Sequence, residues 1–211
     1  LLCASCSTSQ PSSLVPDTPS SAPDYFCTWN IQGYIASYPD TSDSMREQMT
    51  EENIFGTGRY QNWIDFFPAI RSDLFFVMDD SWDIPRDMNG RWDNPYYGTM
   101  ELSEDRFPSF KGDPATRLKA LVDSVKAKGW KGLGGWVCAQ EAENLTGIAP
   151  QDYWAKRLDD ANEAGFAYWK VDWGTNERNP QWREMLTRLG KEHAPELYIE
   201  HAMGQRRLPH I

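Results

Sequence analysis

The sequence predicts an α/β fold, a (β/α)₈ TIM barrel that is incomplete, with about the first five β/α units present. Apolar strand-like runs alternate with amphipathic helix patterns along most of the chain. The strand-like runs are nearly continuous in apolar residues, which is typical of a parallel sheet covered on both faces. Charged residues recur at the ends of these runs, where a barrel places its functional groups.

The hydrophobic pattern locates the individual elements. Short apolar runs predict strands at residues 25–31, 73–80, 132–139, 166–172 and 196–202. Amphipathic patterns predict helices at residues 59–71, 114–129, 150–165 and 180–194.

The helix at residues 114–129 has the clearest signals. Its apolar stripe, with the three-and-four spacing of a helix face, consists of Leu118, Leu121, Val122 and Val125. Asp113 can cap this helix, Pro114 suits its first turn, and Gly129 can end it. Gly165 can end the next helix in the same way.

The number of strands bears on whether the barrel is complete. No Gly-x-Gly-x-x-Gly follows the first strand and no P-loop occurs. The sequence therefore lacks the motifs that would best indicate a nucleotide-binding doubly wound sheet. A complete barrel has eight strands and about 250 residues, whereas five units are recognisable here. We therefore expect the chain to be the N-terminal piece of a longer protein and to be inactive alone.

The first residues differ in composition from the rest. Residues 1–22 begin with two leucines and continue into a Ser-, Thr- and Pro-rich run, which resembles the end of a bacterial lipoprotein signal followed by a flexible tether. Cys6, or else Cys3, would carry the lipid. The alternative is a disordered N-terminus with incidental cysteines. We expect a protein of the bacterial cell envelope, lipid-anchored or periplasmic, or a secreted one, with residues 23–211 forming the catalytic barrel portion.

Composition and charge exclude some function classes. The formal net charge of −10 argues against binding to nucleic acid or to anionic membrane surfaces. The 10 Trp, 9 Tyr and 9 Phe suit either a packed core or a sugar-binding cleft, where flat rings stack on sugars. The three histidines show no metal-ligand spacing and no Cys-x-x-Cys pair suggests zinc, so neither a metal nor a cofactor is expected.

The stretch "FAYWKVDWG" at residues 166–174 contains the most informative charges. Side chains alternate across a strand, so Tyr168, Lys170 and Asp172 share one face. Burying two charges costs several kcal/mol unless they pair or do chemistry. A satisfied ion pair at a strand end and a catalytic site are both consistent with this pattern.

Four motifs in chain order resemble the melibiase group of glycoside hydrolases, the α-galactosidase families and their relatives. They are "CTWN" at the first strand, "FVMDDSW" at the second, the passage from "DRFPSF" to "GLGGWV" into the third, and "YWKVDWG" at the fourth. The resemblance covers roughly residues 25–203. It implies a retaining exo-glycosidase that hydrolyses terminal α-galactosyl or closely related residues through a covalent glycosyl-enzyme, with a carbohydrate as its binding partner.

The resemblance also implies roles for the charged residues at the strand ends. Asp172 would be the nucleophile that attacks the anomeric carbon. Lys170 would bind sugar hydroxyls beside it, and Asp79 and Asp80 would accept hydrogen bonds from hydroxyls on the far side of the ring. The alternative for Asp79 and Asp80 is a turn or helix cap at the end of the strand.

Two further substrate contacts follow from the same resemblance. Trp136 would line the pocket, although it could equally be a core residue, and Glu200 would contact substrate unless it is a solvated charge at a strand end. Trp82, Trp92 and Trp173 are interpreted as loop packing outside the site.

The acid/base residue cannot be assigned in this chain. A retaining glycosidase needs a second carboxyl about 5–5.5 Å from the nucleophile, and in the family it follows the sixth strand, which would lie beyond Ile211. The long loop at residues 83–105 departs from the family pattern, so the exact sugar stays open. The alternatives are a non-catalytic glycan-binding envelope lipoprotein on the same barrel and a metal-dependent hydrolase, which would require clustered histidines.

Overall fold

A computed structural model describes residues 22–37, 42–88, 94–145 and 147–202 of the chain. The leader and tether predicted for residues 1–22, including Cys6 and Cys3, lie outside the described residues except for Ala22. None of the helices formed by these residues is both long enough and apolar enough to cross a membrane.

Five parallel strands form one sheet in chain order, as the alternating pattern predicts. They are β1 (Tyr25–Cys27), β2 (Phe75–Met78), β3 (Gly132–Val137), β4 (Tyr168–Val171) and β5 (Tyr198–His201). Each strand pairs with the next one in the sequence, which requires a crossover connection between every pair of neighbours.

The sheet is curved into a half-barrel. The rings of Phe75 on β2 and Tyr198 on β5 lie 5.8 Å apart between centroids, whereas three strand spacings in a flat sheet would separate these strands by about 14 Å. Gly134 helps to make room on the inner face, because a Cβ there would lie 2.6 Å from the Cβ of Tyr168. The curvature brings the carboxyl ends of the strands around one opening.

Six α-helices accompany the strands in the described part of the chain. They are α1 (Trp29–Ile35), α2 (Ser42–Arg46), α3 (Glu51–Phe55), α4 (Pro114–Ala127), α5 (Pro150–Ala164) and α6 (Pro180–His193). The three long helices α4, α5 and α6 confirm the predictions at 114–129, 150–165 and 180–194 within a few residues. Each of them has proline in its first turn, where the missing N–H has no helical partner.

The predicted capping of α4 and α5 is also observed. The Asp113 side chain accepts a hydrogen bond from the Thr116 N–H at 3.0 Å, and Gly129, just beyond α4, has a φ of 91°. Gly165 ends α5 with a left-handed φ of 72°, a conformation that glycine adopts without strain.

The helix predicted at residues 59–71 is wrong. The structure has two short 3₁₀ segments there, Trp63–Asp65 and Arg71–Asp73. Asn62 and Phe67 have φ angles of 67° and 53°, which a continuous right-handed helix does not allow. Of the apolar residues in this irregular segment, Trp63 and Ile64 are buried, whereas Tyr60, Phe67 and Ile70 are exposed.

The first strand is shorter than its prediction at residues 25–31. The Thr28 N–H donates to the Val77 carbonyl at 3.1 Å, and the chain then enters α1 at Trp29. Trp29 and Asn30, which the motif "CTWN" assigned to the strand, therefore open the helix that follows it.

The core has an inner and an outer part. On the inner face of the sheet, Phe75, Val77 and Tyr168 form one buried cluster. Trp169 and Val171 point to the other face and pack in the large cluster that includes Leu158 of α5 and Leu186 of α6. The alternation predicted for the fourth strand is thus confirmed.

Candidate active site

The strand register places three of the predicted site residues in one row across the sheet. Trp136 on β3 is paired with Lys170 on β4, and Lys170 is paired with Glu200 on β5. Residues in register on neighbouring parallel strands point to the same face. Because Tyr168, two residues before Lys170, belongs to the inner cluster, this row also lies on the inner face.

Lys170 pairs with Asp79 across the sheet. Its Nζ donates to Asp79 Oδ2 at 2.8 Å, and the Cys27 thiol donates to the same oxygen at 2.9 Å. Burial lowers the pKa of Lys170, but the Asp79 charge outweighs this and the net effect raises it. Burial, followed by the Asp79 charge, raises the pKa of the Cys27 thiol, so this group remains a protonated donor.

Asp80 is buried and forms an ion pair with Arg46. Its Oδ2 accepts from Arg46 Nε at 2.8 Å, and its Oδ1 accepts from the Ser81 hydroxyl at 3.0 Å. Burial raises the pKa of Asp80 to about 6, while Arg46 acts in the opposite direction. The turn at this strand end is real as well, because Asp79 Oδ1 accepts from the Asp80 N–H at 2.9 Å.

Asp172 stands immediately after β4 and is half-buried. The indole N–H of Trp136 donates to Asp172 Oδ2 at 3.1 Å. The main chain of Asp172 is held on both sides: its N–H donates to the Val137 carbonyl at 3.0 Å, and its carbonyl accepts from Arg183 at 3.0 Å. One carboxylate oxygen and the main chain of Asp172 are therefore held in place, in a residue that is not fully buried.

Arg183 is a buried residue of α6 that organises the segment after β4. Its guanidinium also donates to the carbonyls of Val171 at 3.1 Å and Glu177 at 2.9 Å. Its Nη1 lies 3.2 Å from Nδ1 of His201. Burial and the Arg183 charge lower the pKa of His201 to about 4, so the imidazole is neutral at pH 7.

Three aromatic side chains form a wall beside Asp172. Trp136 and Trp173 have ring centroids 5.2 Å apart, and Tyr97 lies 5.9 Å from Trp136 and 4.8 Å from Trp173. Arg46 lies 5.8 Å over the Trp173 ring and connects this wall to Asp80. Trp136 and Tyr97 are buried, so Trp173 is the partly exposed ring of this wall.

Glu200 lies within β5 and interacts with the inner tyrosines. The Tyr168 hydroxyl donates to Glu200 Oε2 at 2.9 Å. Burial and the nearby Glu200 carboxylate raise the pKa of Tyr25 on β1 to about 12. The immediate contacts of Glu200 are thus the inner tyrosines Tyr168 and Tyr25.

The structure brings most of the predicted site residues together, and it adds others. Asp79, Lys170 and Cys27 form one connected group, and Trp136 contacts Asp172 directly. Trp136 is a buried core residue, which is one of the two alternatives considered for it, and its indole N–H donates to the candidate nucleophile.

The residues that sequence reasoning missed are Cys27, Arg46, Tyr97, Trp173 and Arg183. Trp173 was interpreted as loop packing outside the site, but it packs against Trp136 and Tyr97 beside Asp172, and its position next to Asp172 was a signal. Cys27 had a signal in its position at the end of the first strand. Arg46, Tyr97 and Arg183 come from helices and loops whose local patterns carry no sign of this site. Trp92, which was interpreted as loop packing, lies outside the described residues.

The arrangement combines a half-buried aspartate, a lysine and two buried acids beside an aromatic wall. Such a surface can bind a polar ligand that has an apolar face and can present a carboxylate to it. Within the described ranges, no group of three or more His, Cys, Asp or Glu side chains could hold a metal ion.

Comparison with known proteins identifies the fold. No protein-family model and no curated protein matches the sequence. The chain is similar to the solved structure of a candidate α-N-acetylgalactosaminidase from Bacillus halodurans, with 16% identity and a TM-score of 0.55, covering 84% of this chain and 47% of that one. It also resembles a GH27 β-L-arabinopyranosidase from Geobacillus stearothermophilus in complex with arabinose, with 16% identity, a TM-score of 0.49, and coverage of 72% and 44%.

The similarity to the Bacillus halodurans structure shows the fold alone. The chain is an α/β protein with a parallel half-barrel, and it spans about half the length of that structure. Its polar groups gather at the carboxyl ends of the strands, as in proteins that use a barrel as a scaffold for a site.

Proposed function

We propose that the complete protein is a retaining exo-glycosidase that hydrolyses terminal α-galactosyl or closely related residues, with Asp172 as its nucleophile. The observation that carries this proposal is the Asp172 carboxylate, held by Trp136 at 3.1 Å in a half-buried residue at the end of β4. The solved structure with the TM-score of 0.55 is described as a candidate enzyme for a galacto-configured sugar, which is in agreement with the proposal.

The proposed reaction has two steps. Asp172 attacks the anomeric carbon while the bond to the leaving oxygen breaks, and an acid supplies the proton to that oxygen. Water then cleaves the glycosyl-enzyme, giving its proton to the same group acting as a base. We assign this second carboxyl to no residue described here and propose that it belongs to the remaining part of the barrel.

Lys170, Asp79 and Asp80 are the proposed contacts for the sugar hydroxyls. An ammonium has three donors, so Lys170 keeps capacity for a ligand after its 2.8 Å bond to Asp79 forms. A carboxylate has about four acceptor positions, and Asp79 already uses three of them for Lys170, Cys27 and the Asp80 N–H. Trp173 is the partly exposed ring of the aromatic wall and is the proposed apolar surface for the sugar ring, with Trp136 and Tyr97 buried behind it. Glu200 is retained as a proposed contact on the same face.

The function is tested with Asp172→Asn in the complete protein. We expect turnover of an aryl α-galactoside to fall by several orders of magnitude, because the substitution removes the nucleophile. Calorimetry should still detect binding of galactose, because asparagine keeps the shape of the side chain. Asp123→Asn, an exposed aspartate of α4, is the matched control. Activity within tenfold of the parent in Asp172→Asn would exclude the nucleophile role, and galactose binding without turnover in the parent would favour the glycan-binding alternative.

Sugar recognition is tested separately with Asp79→Ala and Asp80→Ala. Each should weaken galactose binding by more than about 1 kcal/mol, because a hydroxyl of the bound sugar loses its partner. Unchanged affinity in both variants would leave these residues with the structural roles that their bonds to Lys170 and Arg46 already give them.

We also propose that the protein is anchored in the bacterial envelope through a lipid on Cys6. Labelling of cells with radioactive palmitate should mark the protein, and Cys6→Ala should abolish the label. A label that stays until Cys3 is replaced would move the anchor to that residue.

A further inference from the structure

Arg183 holds the main chain that carries the Asp172 carboxylate. This arginine lies near the start of α6 and is fully buried. Its guanidinium donates to three main-chain carbonyls, those of Val171 at 3.1 Å, Asp172 at 3.0 Å and Glu177 at 2.9 Å. The first two lie at the end of β4 and the third precedes α6, so one planar group fixes both ends of the connection between these elements.

The acceptors that Arg183 binds are neutral, although the guanidinium itself carries a charge. Three of them are carbonyls, and the fourth is Nδ1 of His201, 3.2 Å from Nη1. A buried charge without a bonded counter-ion is costly. Burial accordingly lowers the pKa of Arg183, and the charge of Asp172, followed by that of Glu177, opposes this in part. Asp172 is therefore both a residue whose main chain Arg183 binds and the foremost charge that compensates it.

His201 on β5 orients the guanidinium. The Thr187 hydroxyl donates to the Arg183 carbonyl at 3.0 Å, so its oxygen can accept from the Nε2–H of His201 at 2.8 Å. Nδ1 of His201 is then the unprotonated nitrogen and accepts from Arg183 Nη1. The imidazole is neutral at pH 7, as this arrangement requires, because burial and the Arg183 charge lower its pKa to about 4. Arg183 is thus held by its own helix and by β5 at once.

The other bonds of Asp172 come from β3 and the residues in register with it. The indole N–H of Trp136 donates to Asp172 Oδ2 at 3.1 Å, and the Val137 carbonyl accepts from the Asp172 N–H at 3.0 Å. Arg183 adds the bond to the Asp172 carbonyl from α6. The position of the carboxylate therefore depends on Arg183 as well as on β3, and the Trp136 indole reports on that position.

We propose that Arg183 is a positioning residue, which sets the distance and direction at which the Asp172 carboxylate meets the anomeric carbon. This inference rests on the proposed role of Asp172 as the nucleophile. Arg183 acts through the main chain of Asp172 and not on the substrate itself. Reacting atoms must be about 3–3.5 Å apart and aligned, and the rigid fork of a guanidinium fixes such an alignment better than a flexible chain does.

The kinetic test is Arg183→Met in the complete protein, with an aryl α-galactoside as substrate. The turnover number should fall by about 100-fold, because a displacement of about 1 Å can have an effect of that size. KM should change by less than about threefold, because the proposed sugar contact Lys170 is bonded to Asp79. Arg188→Met, at an exposed arginine of the same helix, should change neither quantity.

A spectroscopic test does not require turnover. In the ¹⁵N-labelled protein, the indole N–H signal of Trp136 is identified by its absence in Trp136→Phe. We expect Arg183→Met to move this signal upfield and to make its exchange with solvent at least about tenfold faster, because the bond to Asp172 weakens. Arg188→Met should leave the signal in place. An inactive parent would refute the proposed function, whereas the indole signal would still decide the role of Arg183.

Arg183→Lys separates the shape of the guanidinium from its charge. Lysine keeps the charge but has a single nitrogen on a flexible chain, so it cannot span the three carbonyls in the same geometry. We therefore expect the turnover number and the Trp136 indole signal of this variant to resemble those of Arg183→Met.

His201 provides a second pair of variants for the case that the Arg183 variants do not fold. His201→Phe removes the acceptor that orients Arg183 and should move the Trp136 indole signal in the same direction. His201→Gln can accept from Arg183 and donate to Thr187 through its amide, so it should restore the signal of the parent.

Three results would overturn the proposal. The first is an unchanged Trp136 indole signal in folded Arg183→Met, or in His201→Phe if no Arg183 variant folds, which would leave Arg183 as a support of the fold only. The second is a turnover number and an indole signal in Arg183→Lys that equal those of the parent. The third is a loss of activity in Arg183→Met that lies in KM and not in the turnover number.

Discussion

Replacing Asp83 by asparagine should remove a pH-dependent loss of stability. Burial raises the pKa of Asp83 from its ordinary 3.8 to about 7, and the bond from the Met100 N–H opposes this only in part. The folded state therefore holds a proton that the unfolded chain releases near pH 4. The stability from this group is fully present below pH 4 and is lost as pH rises towards 7.

The size of the effect follows from the separation of the two pKa values. One pKa unit corresponds to about 1.36 kcal/mol, so a shift of about three units corresponds to roughly 4 kcal/mol as an upper limit. Asp80, whose pKa is raised to about 6, acts with the same sign and remains in the variant. The free energy of unfolding of the parent should therefore fall by up to about 4 kcal/mol relative to Asp83→Asn between pH 4 and 8.

The assay is urea unfolding of the parent, of Asp83→Asn and of the exposed control Asp123→Asn at one-unit steps from pH 4 to 8. Unchanged denaturant slopes would show that each unfolding exposes the same surface. The difference between parent and Asp83→Asn should change steadily with pH, and the control should track the parent. A difference that is flat within about 1 kcal/mol, or that grows in favour of the parent as pH rises, would refute the reasoning.

The remaining predictions use other parts of the structure. Burial and the neighbouring Arg183 lower the pKa of His201 from 6.5 to about 4. The stability that the neutral imidazole contributes is therefore lost as pH falls from about 6.5 to 4, by about 3 kcal/mol in the free energy of unfolding. In the same urea series, His201→Gln should lack this loss. Lys170→Met leaves Asp79 buried without its cation and should destabilise by about 3–5 kcal/mol in thermal unfolding, part of which the additional change Asp79→Leu should restore. Gly174→Ala puts a Cβ within 2.7 Å of main chain at the end of β3 and should lower the melting temperature by more than Gly147→Ala, which has positive φ but open space; equal effects would mean that the contact relaxes without strain.

Much of the fold is visible in the local pattern of the sequence. The stripe around Leu121 and the capping residue Asp113 define α4, because helix periodicity and capping depend on neighbours within a few positions. All five strands are found for the same reason. The pattern at residues 59–71 led to a wrong helix prediction. Trp63 and Ile64 are buried in an irregular segment, and hydrophobic periodicity alone cannot distinguish such a segment from a helix.

Part of the candidate site is local as well. The alternation along β4 puts Lys170 on the inner face and places Asp172 at the strand end, and the pair Asp79–Asp80 follows β2 directly. These positions depend on the period of two that any strand has. The sequence alone therefore determined which strands end in charges and on which face those charges begin.

Only the tertiary structure decided which groups meet. Lys170 pairs with Asp79, 91 positions away, and not with Asp172, because strand register and sheet curvature bring the ends of β2 and β4 together. Arg46 reaches Asp80 from a helix of five residues with no local sign of that contact. The cavity between the segment after β2 and α4 likewise needs Arg117 beside a distant loop. Such contacts depend on how elements pack in three dimensions, and that information is spread over the whole chain.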